Sequence, residues 1–159
     1  MSRHTDRAYE GELRALNDRI LKMAGRVEEM VAQSERALAE RDVDLARRTI
    51  LLDAAVNADE VEIDELCQSL LARRQPLASD LRFIACALKM VTDLERVGDI
   101  AVNLCERAVE LAREPPLPPV AGLGQMAALV REMLKEVVDA FAARAADRAL
   151  AVIRRDDLV

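Results

Sequence analysis

Glu95, Asp99 and Asn103 recur at every fourth position of the stretch Thr92-Asp93-Leu94-Glu95-Arg96-Val97-Gly98-Asp99-Ile100-Ala101-Val102-Asn103. On a helix that spacing puts three oxygen-bearing side chains on one face. Like charges so placed destabilise an isolated helix, and a hard cation is the natural compensator for converging carboxylates. A second oxygen row, Asp53, Asn57 and Glu60, stands at i, i+4 and i+7 further upstream. If the two helices are antiparallel neighbours, the rows can face one another and form an oxygen-rich cation site. Gly98 costs about 1 kcal/mol relative to Ala inside a helix, and close approach of the two helices would offset that. Breaches of local preference tend to sit where something compensates them. Acidic residues four apart, interleaved with Arg96, also make an ordinary solvated face, so geometry alone leaves both readings open.

Other chemistries are poorly supplied. A ferritin-like di-metal oxidase needs Glu-x-x-His pairs, and the one histidine, His4, precedes the first helical stripe. No glycine-rich phosphate loop is present, and no Ser or Cys has a histidine partner within the fold; we therefore expect a protein that is not an enzyme. The net charge of -6 repels phosphate backbones, and an aromatic content of 2% leaves almost nothing for bases to stack on. Nucleic acid is not an expected partner. Cys67, Cys86 and Cys105 are widely spaced within apolar helical pattern and read as reduced, buried thiols. Met23, Met30, Met90, Met126 and Met133 fall at core spacing and read as gap-filling packing.

The elements that must carry these residues are all helical. Leu13, Leu16, Ile20, Met23, Val27 and Met30 step by three and four, predicting a first helix over about 9 to 39. After a break at 41 to 44, Leu45, Leu52, Val56, Ile63, Leu66 and Leu70 predict one long second helix that stops near Gln75, because Pro76 disfavours helical geometry just before it. Ile84, Leu88, Val91, Leu94, Leu104 and Leu111 mark a third helix from about 80 to 113, with Ser79 or Asp80 as a cap. Short turns between them give an antiparallel three-helix bundle over 9–113. The run Glu114-Pro-Pro-Leu-Pro-Pro-Val-Ala-Gly122 is a stiff linker over 114–122.

Residues 126–159 can be laid on 23–56 at a constant offset of 103 with 13 identities in 34 pairs, among them Met23 with Met126, Arg41 with Arg144 and Asp53 with Asp156. That is an internal repeat. The region 123–159 therefore reads as the start of a second bundle, about one and a half helices long, and its apolar stripe should be frayed, packed on the first bundle or covered by another chain. No stretch approaches the roughly 20 apolar residues of a membrane span, and Met1 to Gly11 lacks the apolar core of a leader. We expect a cytoplasmic protein with no direct membrane insertion, peripheral at a membrane only through partners.

Leu94-Glu95-Arg96-Val97-Gly98-Asp99, preceded by Arg74-Gln75-Pro76-Leu77-Ala78-Ser79-Asp80-Leu81-Arg82 and by Asp53-Ala-Ala-Val-Asn57, resembles the PhoU family. The resemblance covers nearly the whole chain and implies two three-helix bundles, with the C-terminal one expected to be truncated in this sequence. It implies a metal ion or multinuclear cluster, iron or zinc foremost and magnesium or manganese as alternatives, held by acidic motifs. Carried over by position, Glu95 with Asp99 and Asp53 with Asn57 match those motifs; Glu60 and Asn103 extend the same rows. Asp156 begins a motif in the second repeat whose partner would fall one residue past Val159. The resemblance further implies a homodimer that represses the phosphate-starvation response through contacts with the phosphate ABC transporter ATPase and a phosphate-sensing histidine kinase. The alternatives are an accessory protein of a different phosphate permease, or a structural helical module that binds no ion.

Overall fold

A computed structural model describes residues 2–158 apart from Leu77, Leu117, Pro119 and Val120. The chain forms α1 (Ser2–Glu40), α2 (Val43–Ile50), α3 (Asp53–Arg74), α4 (Ala78–Leu111), α5 (Leu123–Ala142) and α6 (Ala146–Ile153), followed by a 3-10 turn, Asp156–Leu158. No strand occurs among the described residues, and none of these helices is long and apolar enough to cross a membrane. The class is all-α, as the stripes require.

The stripes of α1, α3 and α4 close on one another. Leu16, Ile20, Met23, Val27 and Met30 of α1, Val56, Ile63, Cys67 and Leu70 of α3, and Ile84, Ala87, Val91 and Leu94 of α4 form one continuous buried core. Beside it, Asp59 of α3 is buried and held by Arg26 of α1, which also donates to the Ala55 carbonyl at 3.1 Å. At one end of the bundle Arg74 grips Glu12 with two hydrogen bonds, 2.9 and 3.0 Å long. Such a fork pairs two charges with fixed geometry and ties the last turn of α3 to α1.

The long second helix expected from the sequence is two helices. After Thr49, the Leu52 N–H donates to the Thr49 carbonyl at 3.0 Å, a tight three-residue step, and Leu51 points 76% exposed into solvent. Thr49 is itself buried, and its hydroxyl donates to Gln33 and to the Leu45 carbonyl, both at 2.9 Å. This break re-aims the chain. Leu45 and Ala46 of α2 pack with Ala37, Cys105 and Ala108 in a small separate cluster, while α3 lies along the main core.

Two further expectations are corrected. Cys67 and Cys105 are buried, but Cys86 is exposed, since it lies on the outer side of α4 between the inward-facing Ile84 and Ala87. Met23 and Met30 are fully buried, whereas Met126 is 42% exposed because none of the described helices lies over it.

The hairpin of α5 and α6 packs on the first bundle chiefly through α1. Leu134, Val138 and Phe141 join the main core, and Arg131 pairs with Glu35 at 2.9 Å. The repeat is visible in the backbone: α2 at 43–50 and α6 at 146–153 match residue for residue at the offset of 103. The corners before them match too. Arg41 and Arg144 have φ of 58° and 51°, and the next N–H returns to the carbonyl five residues back, Asp42 to Ala37 at 3.0 Å and Ala145 to Ala140 at 2.9 Å. That is the closure of a Schellman helix end.

Candidate metal-binding face

Helices α3 and α4 pack side by side, and the heptad-like spacing of their buried residues fixes which flank of each meets the other. On α3 the core positions Val56, Ile63 and Leu70 leave Asp53, Asn57, Glu60 and Asp64 on one flank and Asp59 on the other. On α4 the core positions Val91, Leu94, Gly98 and Ala101 leave Glu95 and Asp99 on the flank toward α3. The two oxygen rows therefore converge.

Their electrostatics record the meeting. Burial first, then the charges of Asp99 and Asp53, push the Glu95 carboxyl above its ordinary range. Burial, then Glu95, Asp64 and Asp99, do the same to Glu60. Glu95 on one helix is thus pushed up by Asp53 on the other, and Glu60 by Glu95 and Asp99 across the same seam. Asp53 Oδ1 is buried with no hydrogen-bond partner, while its Oδ2 accepts from Asn57 Nδ2 at 2.9 Å. An unpartnered buried carboxylate oxygen is costly and is the sort of atom that a cation satisfies.

Asp53, Glu60, Glu95 and Asp99 are thus placed on one face, with the Asn57 amide turned onto Asp53. Asn103 is exposed one turn beyond Asp99, and no hydrogen bond among the described residues joins it to α3. Asp64 extends the α3 row beyond Glu60, where the expected site ended; its position four residues after Glu60 was the available signal. As these side chains stand, no three His, Cys, Asp or Glu groups among the described residues gather closely enough to enclose an ion. The donors are nonetheless all oxygen, one of them orphaned, and two are held above their ordinary pKa by burial and like charge. Such a set fits an oxygen-preferring cation better than a soft one.

Gly98 plays a smaller part than its spacing promised. A Cβ there would meet Val56 Cγ1 at 3.6 Å and Met30 Cε at 3.9 Å, which is ordinary contact. The approach of α3 to α4 does not depend on a glycine.

The basic residues near the α3–α4 turn are mostly spoken for. Arg74 is committed to Glu12, and Arg73 lies 3.8 Å from the same carboxylate.

Known proteins resemble this chain in sequence and fold. A PhoU domain model matches residues 20–108, which include both oxygen rows. The chain is 35% identical over its full length to the phosphate-specific transport system accessory protein PhoU of Edwardsiella tarda, of which it covers 65%. It is 39% identical over 148 residues to the PhoU homolog of Aquifex aeolicus, covering 93% of this chain and 67% of that one. It superposes on the crystal structure of PhoU from Pseudomonas aeruginosa with a TM-score of 0.91 and 39% identity, over 94% of this chain and 72% of that one. The chain belongs to the PhoU family.

Proposed function

We propose that this protein is an accessory and regulatory component of phosphate uptake, acting by contact with partners, and that a metal ion bound between α3 and α4 is part of its working form. The names carried by its relatives support the first half, and the convergence of Asp53, Glu60, Glu95 and Asp99 supports the second. Glu95 and Asp99 would hold the ion from α4, Asp53 and Glu60 from α3, with Asp64 within the same acidic field. An ion there supplies charge neutralisation: it would satisfy Asp53 Oδ1 and turn mutual repulsion into a crosslink between two helices. Iron or zinc is what the family resemblance implies, with magnesium or manganese as alternatives that an all-oxygen set also suits.

The partners in this reading are the ATPase of a phosphate ABC transporter and a phosphate-sensing histidine kinase, and the outcome of contact is repression of the phosphate-starvation response. Residues 9–113 form the unit that carries the ion, 114–122 the linker, and 123–159 a repeat-related unit beside it; the working form is a homodimer in the cytoplasm.

Metal analysis tests the site. Purified protein should carry iron or another divalent ion that is lost when Glu95 and Asp99 are both replaced by Ala, with the helical circular dichroism retained. Equal metal content in the two proteins would overturn the assignment. Co-purification with the transporter ATPase, weakened in the same double variant, would tie the ion to the contact role. Recovery of a phosphate permease of another type would redirect the reading to that system.

A further inference from the structure

Arginine stands at both repeat-equivalent corners, where a left-handed backbone favours glycine. Arg41 and Arg144 have φ of 58° and 51°, a region in which a residue bearing a Cβ is strained. Glycine would close these corners with less strain, so what arginine adds is its side chain. The two side chains go to different places. Arg41 Nη2 donates to the Leu111 carbonyl at 2.8 Å and to the Glu114 carbonyl, holding the last turn of α4 and the root of the linker. The Arg144 guanidinium lies 4.8 Å from the centroid of the Phe83 ring, near the start of α4. Phe83 in turn stacks on Phe141 of α5, centroids 5.5 Å apart and planes 19° from parallel.

The two arginines thus grip opposite ends of α4. Between them two open surface grooves of about 340 and 410 Å³ border the seam of α5 on α1, both touching Ala32 and Arg131. Leu134 and Val138 reach the main core nearer the Phe141 end.

We propose that Arg41 and Arg144 are a pivot and a latch that set how the second repeat lies on the first. Arg41 fixes the linker root and the direction in which the chain leaves α4. The Phe83–Phe141–Arg144 stack closes the far end, and its release lets α5 and α6 swing from α1 about that root. Guanidinium over an aromatic face and an offset ring stack are each modest interactions, which suits a contact that opens without unfolding the bundle.

Hydrogen exchange by mass spectrometry on the 159-residue chain tests this. Arg144→Ala should raise exchange over 138–153 about threefold and Phe83→Leu, which also loses the ring stack, up to about tenfold, with 9–111 unchanged. Arg41→Ala should instead raise exchange at 109–114 and speed proteolysis within 115–122, leaving 146–153 at the parental rate. Leu at 83 keeps an apolar side chain against the core while removing the ring; if it nevertheless loosens α4, Arg144→Ala decides, since its side chain fills no part of the core. Parental exchange over 138–153 in Arg144→Ala would overturn the latch. Equal loosening of 146–153 by Arg41→Ala and Arg144→Ala would overturn the division into pivot and latch.

Discussion

Met23 and Met126 occupy the same place in two copies of one repeat, as do Val27 and Val130, yet the first of each pair is fully buried and its counterpart is 42% or 40% exposed, respectively. Their helices share the same stripe, end in the same left-handed arginine corner and lead into matching short helices. What differs is the company. The α1 stripe is covered by α3 and α4, whereas on α5 only the later part of the stripe, Leu134, Val138 and Phe141, reaches the main core, and Val130 and Met126, one and two turns earlier, stay open. A repeat thus specifies helices and corners locally, but burial follows from which elements arrive to share it. The first region holds a continuous core with the buried Asp59 paired to Arg26 at its edge; the other is held by Leu134, Val138 and Phe141, the Arg131–Glu35 pair and the Arg144–Phe83 contact.

The largest expected effect separates the two regions by core truncation. Ile63→Ala, at the centre of the first bundle, should lower unfolding free energy by about 2–5 kcal/mol, since a cavity is left where three helices meet. Val138→Ala, where α5 touches the core, should cost about 1.5 kcal/mol from two lost methyl groups. Urea titration measures both, and a Val138→Ala cost equal to that of Ile63→Ala would break the contrast drawn between the regions.

A smaller gain is expected at Gly98. Because a Cβ there meets only ordinary contacts with Val56 and Met30, Gly98→Ala should stabilise by up to about 1 kcal/mol through helix propensity. A loss instead would mean that α3 and α4 approach more closely than these distances allow.

The smallest effect concerns charge. Glu60 and Glu95 are held above their ordinary value of 4.5 in the folded protein, so folding favours their protonated forms. Metal-free protein should therefore gain stability as pH falls from neutrality through those raised values, the gain being complete once pH is below the ordinary 4.5. Glu12 opposes this, because Arg74 lowers its pKa and its contribution is lost as pH falls through that lowered value. Melting temperature followed against pH should rise on mild acidification, and Glu95→Gln should flatten the rise. A profile identical in that variant would show that the two oxygen rows do not feel one another.

Periodicity and breakers in the sequence were enough to determine the helical class, the boundaries near Gln75 and Leu111, the oxygen rows and the repeat, because a stripe at helical spacing and a proline act through neighbours on the chain. The break at Leu51 was hidden, since both sides of it carry apolar residues at helical spacing and only the need to pack α2 on Ala37 and Cys105 separates them. Exposure at Cys86 was legible, since residue 86 lies half a turn from the stripe of Ile84, Leu88 and Val91, and the expectation of burial followed instead the general preference of free thiols for the interior. Only the tertiary structure decided that the row of Asp53, Glu60 and Asp64 lies against Glu95 and Asp99, while Asp59, on the same helix, turns to Arg26. Helix formation is a local property of the chain, whereas burial and the meeting of charges require another element, and its position lies beyond the reach of any local pattern.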